Sequence, residues 1–223
     1  MNLLDSRKRS HGLQTPSMTL SRGTGRIESE RLILRRVDES DFAFFRQLNA
    51  DPEVAQYLPH GKPRSTQESI AWLQSLLRSY EDLGLGQLAV LRKSDGLLIG
   101  RCGLSDLAVE AKATAATVPR GWYQRAAAPA AADIVFEQEL GYTFDRSSWG
   151  QGYASEASRC VFDYARDVLQ LPRVVSLIHP QNVRSLRLAQ RFGVQHEDTV
   201  EVSSRLYERF AWPMARGGTR HAE

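Results

Sequence analysis

The run Phe144-Asp-Arg-Ser-Ser-Trp149-Gly-Gln-Gly-Tyr-Ala-Ser-Glu-Ala157 constrains the fold more than any other part of the chain. It joins a strand-like run, residues 134–144, to an amphipathic run that starts near Ser155. A strand, a glycine-bearing turn and a helix start in direct succession form an anion cradle. Glycines let the backbone approach a ligand closely. The first N–H groups of the helix lack internal partners and point outward. The helix dipole adds a field favourable to negative charge, worth about 0.3–1 kcal/mol when exposed. A pyrophosphate fits such a place.

The rest of the chain reads as alternating short elements. Residues 31–35 predict a first strand, and Asp38 caps a helix carrying Phe42, Phe45 and Leu48. Asp51-Pro52 breaks that helix. Ser65-Thr-Gln-Glu68 is a capping-box pattern opening a helix in which Ile70, Leu73, Leu77 and Tyr80 share a face, stopped by Gly84. A hairpin follows, from 87–92 through Ser94-Asp95-Gly96 to 97–104. After the turn, Ala157, Val161, Ala165 and Val168 form one helical face, with Phe162 and Leu169 beside it, up to Leu171-Pro172. A short buried strand is predicted at 174–178, a helix capped by Asn182 and ended by Phe192-Gly193, and a closing hairpin from 194–198 and 205–212. Strands and helices mixed in this order predict one α+β domain over 27–213.

Two segments depart from that order. Residues 107–133 hold 11 alanines, Pro119 and Pro129, with no steady period. They read as a mobile flap, with a short helix over 107–117 as the alternative, placed to occlude a cleft or to mediate a homodimer. Residues 1–26 read as a disordered basic extension, and 214–223 as a C-terminal tail. The extension carries five basic residues and one acid, so it accounts for more than the whole net charge of +3 and leaves the remainder near neutral. It is read as a solvated extension and not as a nucleic-acid arm. The two cysteines, Cys102 and Cys160, are far apart and fit no metal spacing, which indicates a reducing compartment and no disulfide framework. With no apolar run of about 20 residues and no signal sequence, a cytoplasmic protein without a membrane span is expected.

Five segments carry a family resemblance: Trp149-Gly-Gln-Gly-Tyr-Ala154, His179-Pro-Gln-Asn182-Val-Arg-Ser185 and Arg191-Phe-Gly193 in that order, and the N-terminal pair Glu30-Arg-Leu-Ile-Leu-Arg-Arg-Val-Asp-Glu-Ser-Asp-Phe42 and Ala50-Asp-Pro-Glu-Val-Ala-Gln-Tyr57. The chain resembles the GCN5-related N-acetyltransferases, and within them the RimJ/RimL-type enzymes, over 27–213 apart from the alanine-rich insertion. The resemblance implies a mixed, strongly bent sheet flanked by helices, with two splayed strands, 134–144 and 174–178, forming a cleft for acetyl-CoA. It implies that Trp149, Gly150, Gln151, Gly152, Tyr153 and Ala154 hold the coenzyme pyrophosphate, and that Asn182 bonds the pantetheine arm. Tyr142 borders the coenzyme and, like Tyr153, reads as a packing residue more than an acid. Arg146 and Arg191 are placed to meet phosphates. No metal is implied.

Acetyl transfer needs a neutral amine, a polarised thioester and a stabilised leaving thiolate. Glu139 and Glu137 lie on one strand face and both offer a base, with Glu139, nearer the bend, the first choice. Many relatives place a tyrosine seven residues after the asparagine, where this chain has Ala189. In the RimJ/RimL subgroup a serine at the position of Ser185 donates the proton instead, or water does. An α-amine, with pKa about 7.7–8.0, demands less of a base than lysine at about 10.4, which suits a protein N-terminus as acceptor. An acid-rich acceptor pocket would favour a small amine such as an aminoglycoside or polyamine. A non-catalytic acyl-CoA sensor is the third reading, against which Glu137, Glu139 and Ser185 stand. The turn lacks the Gly-Lys-Ser/Thr ending and the Gly-x-Gly-x-x-Gly spacing of nucleotide loops.

Overall fold

The computed structural model describes residues 26–111, 121–124 and 133–214. The predicted N-terminal extension and C-terminal tail lie outside these residues, except Arg26 and Met214 at their borders. The chain opens with β1 (Arg26–Glu28) and β2 (Leu32–Arg36). Asp38 caps a short 3-10 turn through a reciprocal bond with Asp41, and α1 (Phe42–Ala50) follows directly. Asp51 caps α2 (Pro52–Ala55), which has proline in its first turn, where no N–H is needed. The capping box of Ser65 and Glu68 starts α3 (Thr66–Leu83), and Gly84 ends it at φ +67°. The predicted face of α3 is rotated: Leu73, Leu76 and Tyr80 are buried, while Ile70 is 40% exposed. Leu76 takes the core position because α3 packs on α1 at Phe45 and Leu48. The Tyr80 hydroxyl accepts from the Val37 N–H at 3.1 Å and donates to the Gln87 carbonyl.

The predicted hairpin forms as β3 (Gln87–Arg92) and β4 (Leu98–Glu110). β4 runs well past the predicted end at residue 104. Neither a flap nor a short helix describes residues 107–110, which complete this strand. Part of the alanine-rich segment is also strand: β5 (Gly121–Gln124) pairs with β4 through Val109↔Trp122. Residues 112–120 and 125–132 of that segment lie outside the described region. The alternation of Leu107 and Val109 is a strand signal, and the surrounding alanines mask it in the sequence.

β6 (Ile134–Phe144), α4 (Tyr153–Asp167), β7 (Val175–Ile178), α5 (Val183–Phe192), β8 (Gln195–Val202) and β9 (Arg205–Ala211) complete the order. Among the described residues there is one nine-stranded sheet, β1-β2-β3-β4-β5-β8-β9-β7-β6, and β6 also pairs with β4 along its whole length. Strands β4, β5, β8, β9, β7 and β6 therefore close a circuit, and the sheet is strongly bent. Leu107, Val109, Trp122, Val175, Val200 and Tyr207 form a core inside it. A second core lies under α4 and a third under α1 and α3.

The closure has one weak seam. β6 and β7 run parallel and share a single register pair, Glu139↔Val175, beyond which they part. Ser176 pins the base of this split: its Oγ donates to the Leu140 carbonyl at 2.6 Å and accepts from Trp212 Nε1 at 2.9 Å. No helix among the described residues is long and apolar enough to cross a membrane.

Candidate active site

The glycine turn has the conformation its sequence requires. Gly150 and Gly152 take φ +76° and +82°, the left-handed region that strains any residue with a Cβ. Gly152 is the N-cap of α4 and offers no side chain, and Glu156 is the residue whose N–H returns to the Gly152 carbonyl, at 3.0 Å. The preceding N–H groups of the first turn are thus free for a ligand. Glu156 would set a negative charge at this point, but Arg31 neutralises it. Arg31 Nε donates to Glu156 Oε2 at 2.7 Å, and its Nη1 donates to the Gln151 carbonyl at 3.0 Å. The guanidinium also lies 4.7 Å from the Tyr153 ring centroid. Arg31, just before β2, therefore clamps the turn and cancels the carboxylate charge beside it.

A cavity of about 1420 Å³ joins the turn to the split. Trp149, Gly150, Gly152, Tyr153 and Ala154 line it, as do Tyr142, Glu139, Asn182 and Ser185. Two of the sequence-predicted residues do not. Gln151 turns its amide to the Ser147 carbonyl at 2.6 Å. Glu137 is held outside, its carboxylate 3.0 Å from Arg173 Nε and 3.0 Å from Arg209 Nη1. Of the two arginines expected near phosphates, Arg191 lines the cavity and Arg146 does not. Arg184, whose guanidinium lies 4.5 Å from the Trp149 ring centroid, lines it too.

Glu139 sits where β6 begins to leave β7. Burial pushes its carboxyl up to about 7, against the opposing pull of Arg101 and of the Leu177 backbone N–H. A carboxylate titrating near neutrality is matched to proton abstraction. Glycine follows two positions on, and a Cβ at Gly141 would sit 3.7 Å from Glu139 Oε1, so the strand surface beside the carboxylate is open.

On the facing side, Asn182 Oδ1 accepts from the Ser185 N–H at 3.2 Å and caps α5. This first-turn geometry turns both residues to the same end of the helix. The Tyr142 hydroxyl is buried without a hydrogen-bond partner, and Ser185 is the polar side chain next to it, just outside bonding geometry. Burial pushes Tyr142 up to about 12, opposed by Ser185, so its proton stays on at neutral pH. Ala189 lines the same wall.

Sequence reasoning did not single out two further charges in the cavity, Arg64 and Arg101. Arg64 lies in the loop before α3, and Arg101 lies on β4 with its guanidinium 5.3 Å from the Trp72 ring centroid. No local pattern marks either as a site residue, because each reaches the cavity only through packing of distant elements. The wall that carries Arg64 is itself anchored from β9: Arg205 Nη2 donates to the Gln56 carbonyl at 2.8 Å, and the Tyr207 hydroxyl donates to the Tyr57 carbonyl at 3.1 Å.

The family model for the acetyltransferase (GNAT) domain matches residues 31–195. The Bacillus subtilis protein YkkB is 28% identical over 177 residues, covering 78% of this chain and 88% of YkkB. Among solved structures, an acetyltransferase from Agrobacterium tumefaciens superposes with a TM-score of 0.63 at 25% identity, covering 86% of this chain and 96% of that one. RimJ of Mycobacterium smegmatis, solved in complex with CoA-disulfide, superposes with a TM-score of 0.57 over 84% of this chain and 82% of its own, and at 15% identity the likeness is one of fold. The family match runs from β2 through the glycine turn and both splayed strands to the start of β8. The chain therefore belongs to the GNAT acetyltransferase family and is an acetyl-CoA-dependent N-acetyltransferase.

Proposed function

We propose that this enzyme acetylates the α-amine of a protein N-terminus, with Glu139 as base and Ser185 as donor to the leaving sulfur. One observation carries the reading: a single cavity holds the glycine turn, the split between β6 and β7, Glu139 on one side and Asn182 with Ser185 on the other. The coenzyme lies with its pyrophosphate on the first turn of α4 and its pantetheine arm in the split, bonded by Asn182. RimJ, a protein of the same fold, was solved in complex with CoA-disulfide, which supports CoA as the ligand of this fold.

The amine nitrogen attacks the thioester carbonyl, and Glu139 takes a proton from it directly or through water. The C–S bond breaks as the amide forms. The leaving thiolate receives a hydrogen bond from Ser185 and then a proton from water, directly or relayed through the Ser185 hydroxyl, which regains its own proton from that water; the Tyr142 hydroxyl lies beside Ser185. The charge that develops on the thiolate is thus met by a group held in place at the start of α5.

A base near 7 supports an α-amine acceptor. It lies within about one unit of an α-amine at 7.7–8.0 and about three units below lysine at 10.4. With acetyl-CoA, free-thiol release is expected from peptides with an unblocked N-terminus and not from the same peptides blocked at the α-amine. Faster release with spermidine or kanamycin than with any peptide would overturn the N-terminal reading.

A further inference from the structure

The acceptor side of the cavity holds more cationic donors than the reaction uses. Strand alternation and the β4–β6 register put Arg101 and Thr143 side by side on one sheet face, with Ser105 and Glu139 further along it. All four line the cavity. Arg101 stacks on Trp72, and its Nε is buried with no partner. Arg64 Nη1 is likewise buried with no partner. Thr143 Oγ1 and Gln87 Oε1 add two more unsatisfied buried polar atoms in the same cavity. Among the described residues, no carboxylate lies within 4.0 Å of either guanidinium. Glu139 and Glu68 act on Arg101 and Arg64 only from further away. Glu68 is engaged in capping α3, its Oε2 2.7 Å from the Ser65 N–H.

Burial pushes Arg101 down to about 10, with Arg64 adding to the effect, so Arg101 stays charged at neutral pH, and burial lowers Arg64 as well. A buried guanidinium that leaves donors unmade carries a desolvation cost that an anion removes. Planar, multi-donor guanidinium groups are suited to a carboxylate or a phosphate. The coenzyme's phosphates have their own donors in the free N–H groups at the α4 start. Arg101 instead stands on the face of β4 and β6 that packs toward α3, and Arg64 lies in the loop that leads into α3.

We propose that the acceptor is an amine carrying an acidic group, and that Arg101 and Arg64 bind this group while Glu139 takes the amine proton. The proposal rests on the acceptor reading above and narrows it. Thr143, the register partner of Arg101, is four residues from Glu139, about 13 Å along the strand before the side chains reach toward each other. An acidic side chain in the first residues of a peptide spans that interval better than the carboxylate of a single free amino acid.

The test compares acid with amide at one position. The full-length enzyme is assayed with acetyl-CoA and peptides carrying Asp or Asn, or Glu or Gln, at positions one to three, and with free aspartate and asparagine. An acid over amide preference of about tenfold or more in kcat/KM is expected in the peptide arm. It should fall to within about twofold of unity in Arg101→Gln and Arg64→Gln, and persist in part in Arg101→Lys. KM for acetyl-CoA should stay within about twofold in all three variants, which also reports that each is folded. Equal turnover of acid and amide by the wild-type enzyme overturns the inference without any variant. A loss of acetyl-CoA affinity with unchanged preference overturns it too, by assigning the arginines to the coenzyme. Acid preference confined to free aspartate keeps the anion site and removes the peptide. Acetylation of neutral peptides alone leaves Glu139 and the N-terminal reading standing while this inference fails.

Discussion

Glu139 and Glu137 are two residues apart on one strand face, and nothing local separates them. Distant charges do. Arg173 and Arg209 take both oxygens of Glu137, whereas Glu139 faces a cavity with Arg101 beyond pairing distance. As the proposed base, Glu139 acts when ionised, so kcat/KM should rise as pH passes through about 7. Glu139→Gln should lower kcat by about 100-fold or more, remove that limb of the profile and leave acetyl-CoA affinity intact. A profile unchanged by the substitution would return Glu139 to a structural role. Stability carries the opposite sign. The folded carboxyl is raised from its ordinary value of 4.5 to about 7, so wild-type stability falls as pH rises from about 4.5 to about 7, a loss the glutamine variant does not share. Ser185 was legible through its spacing from Asn182. Its neighbour Tyr142 was legible as a packing residue, but not as an unpartnered hydroxyl beside that serine.

At the scale of elements, caps and turns were the most readable features. The capping box at Ser65, the stop at Gly84, the Asn182 cap and the Gly193 stop all form where the sequence puts them, because each depends on bonds within a few residues. Helix phase was less readable. Ile70 and Leu76 are both apolar, and the position of α1 decides which is buried. The glycine turn belongs to the readable class, and its prediction belongs at this scale. Acetyl-CoA at about 100 times its Kd should stabilise the fold by about 2.7 kcal/mol, seen as a rise in Tm. Gly152→Glu should abolish that rise. A Cβ there sits 3.3 Å from Arg31 Nη2, φ is +82°, and the new carboxylate repels the pyrophosphate. A retained shift would show that the turn is not the cradle.

Across the whole molecule, the deciding event is closure of the sheet. β5 comes from the alanine-rich segment, yet it joins β4 to β8 and completes the circuit that keeps Trp122 only 2% exposed. Trp122→Ala should cost about 3–5 kcal/mol in denaturant unfolding, as for other large aromatic truncations in a core. A loss below about 1 kcal/mol would mean that β5 is an ornament on the sheet. Closure also sets the active site. It brings β9 close enough to anchor residues 56–61 through Arg205 and Tyr207, and so to hold the wall carrying Arg64.

The amino-acid sequence alone determined the elements of the proposed donor half: the glycine turn, the helix start behind it, Asn182-x-x-Ser185 and the order of strands that splay. Those features need only backbone conformations and bonds between near neighbours, which residue types dictate directly. Tertiary structure decided the proposed acceptor half. Which glutamate stays unpaired, which arginines are buried without partners and what becomes of the alanine-rich segment depend on residues tens of positions apart meeting across a closed sheet. Burial and charge pairing are properties of that meeting, and no short stretch of sequence contains them.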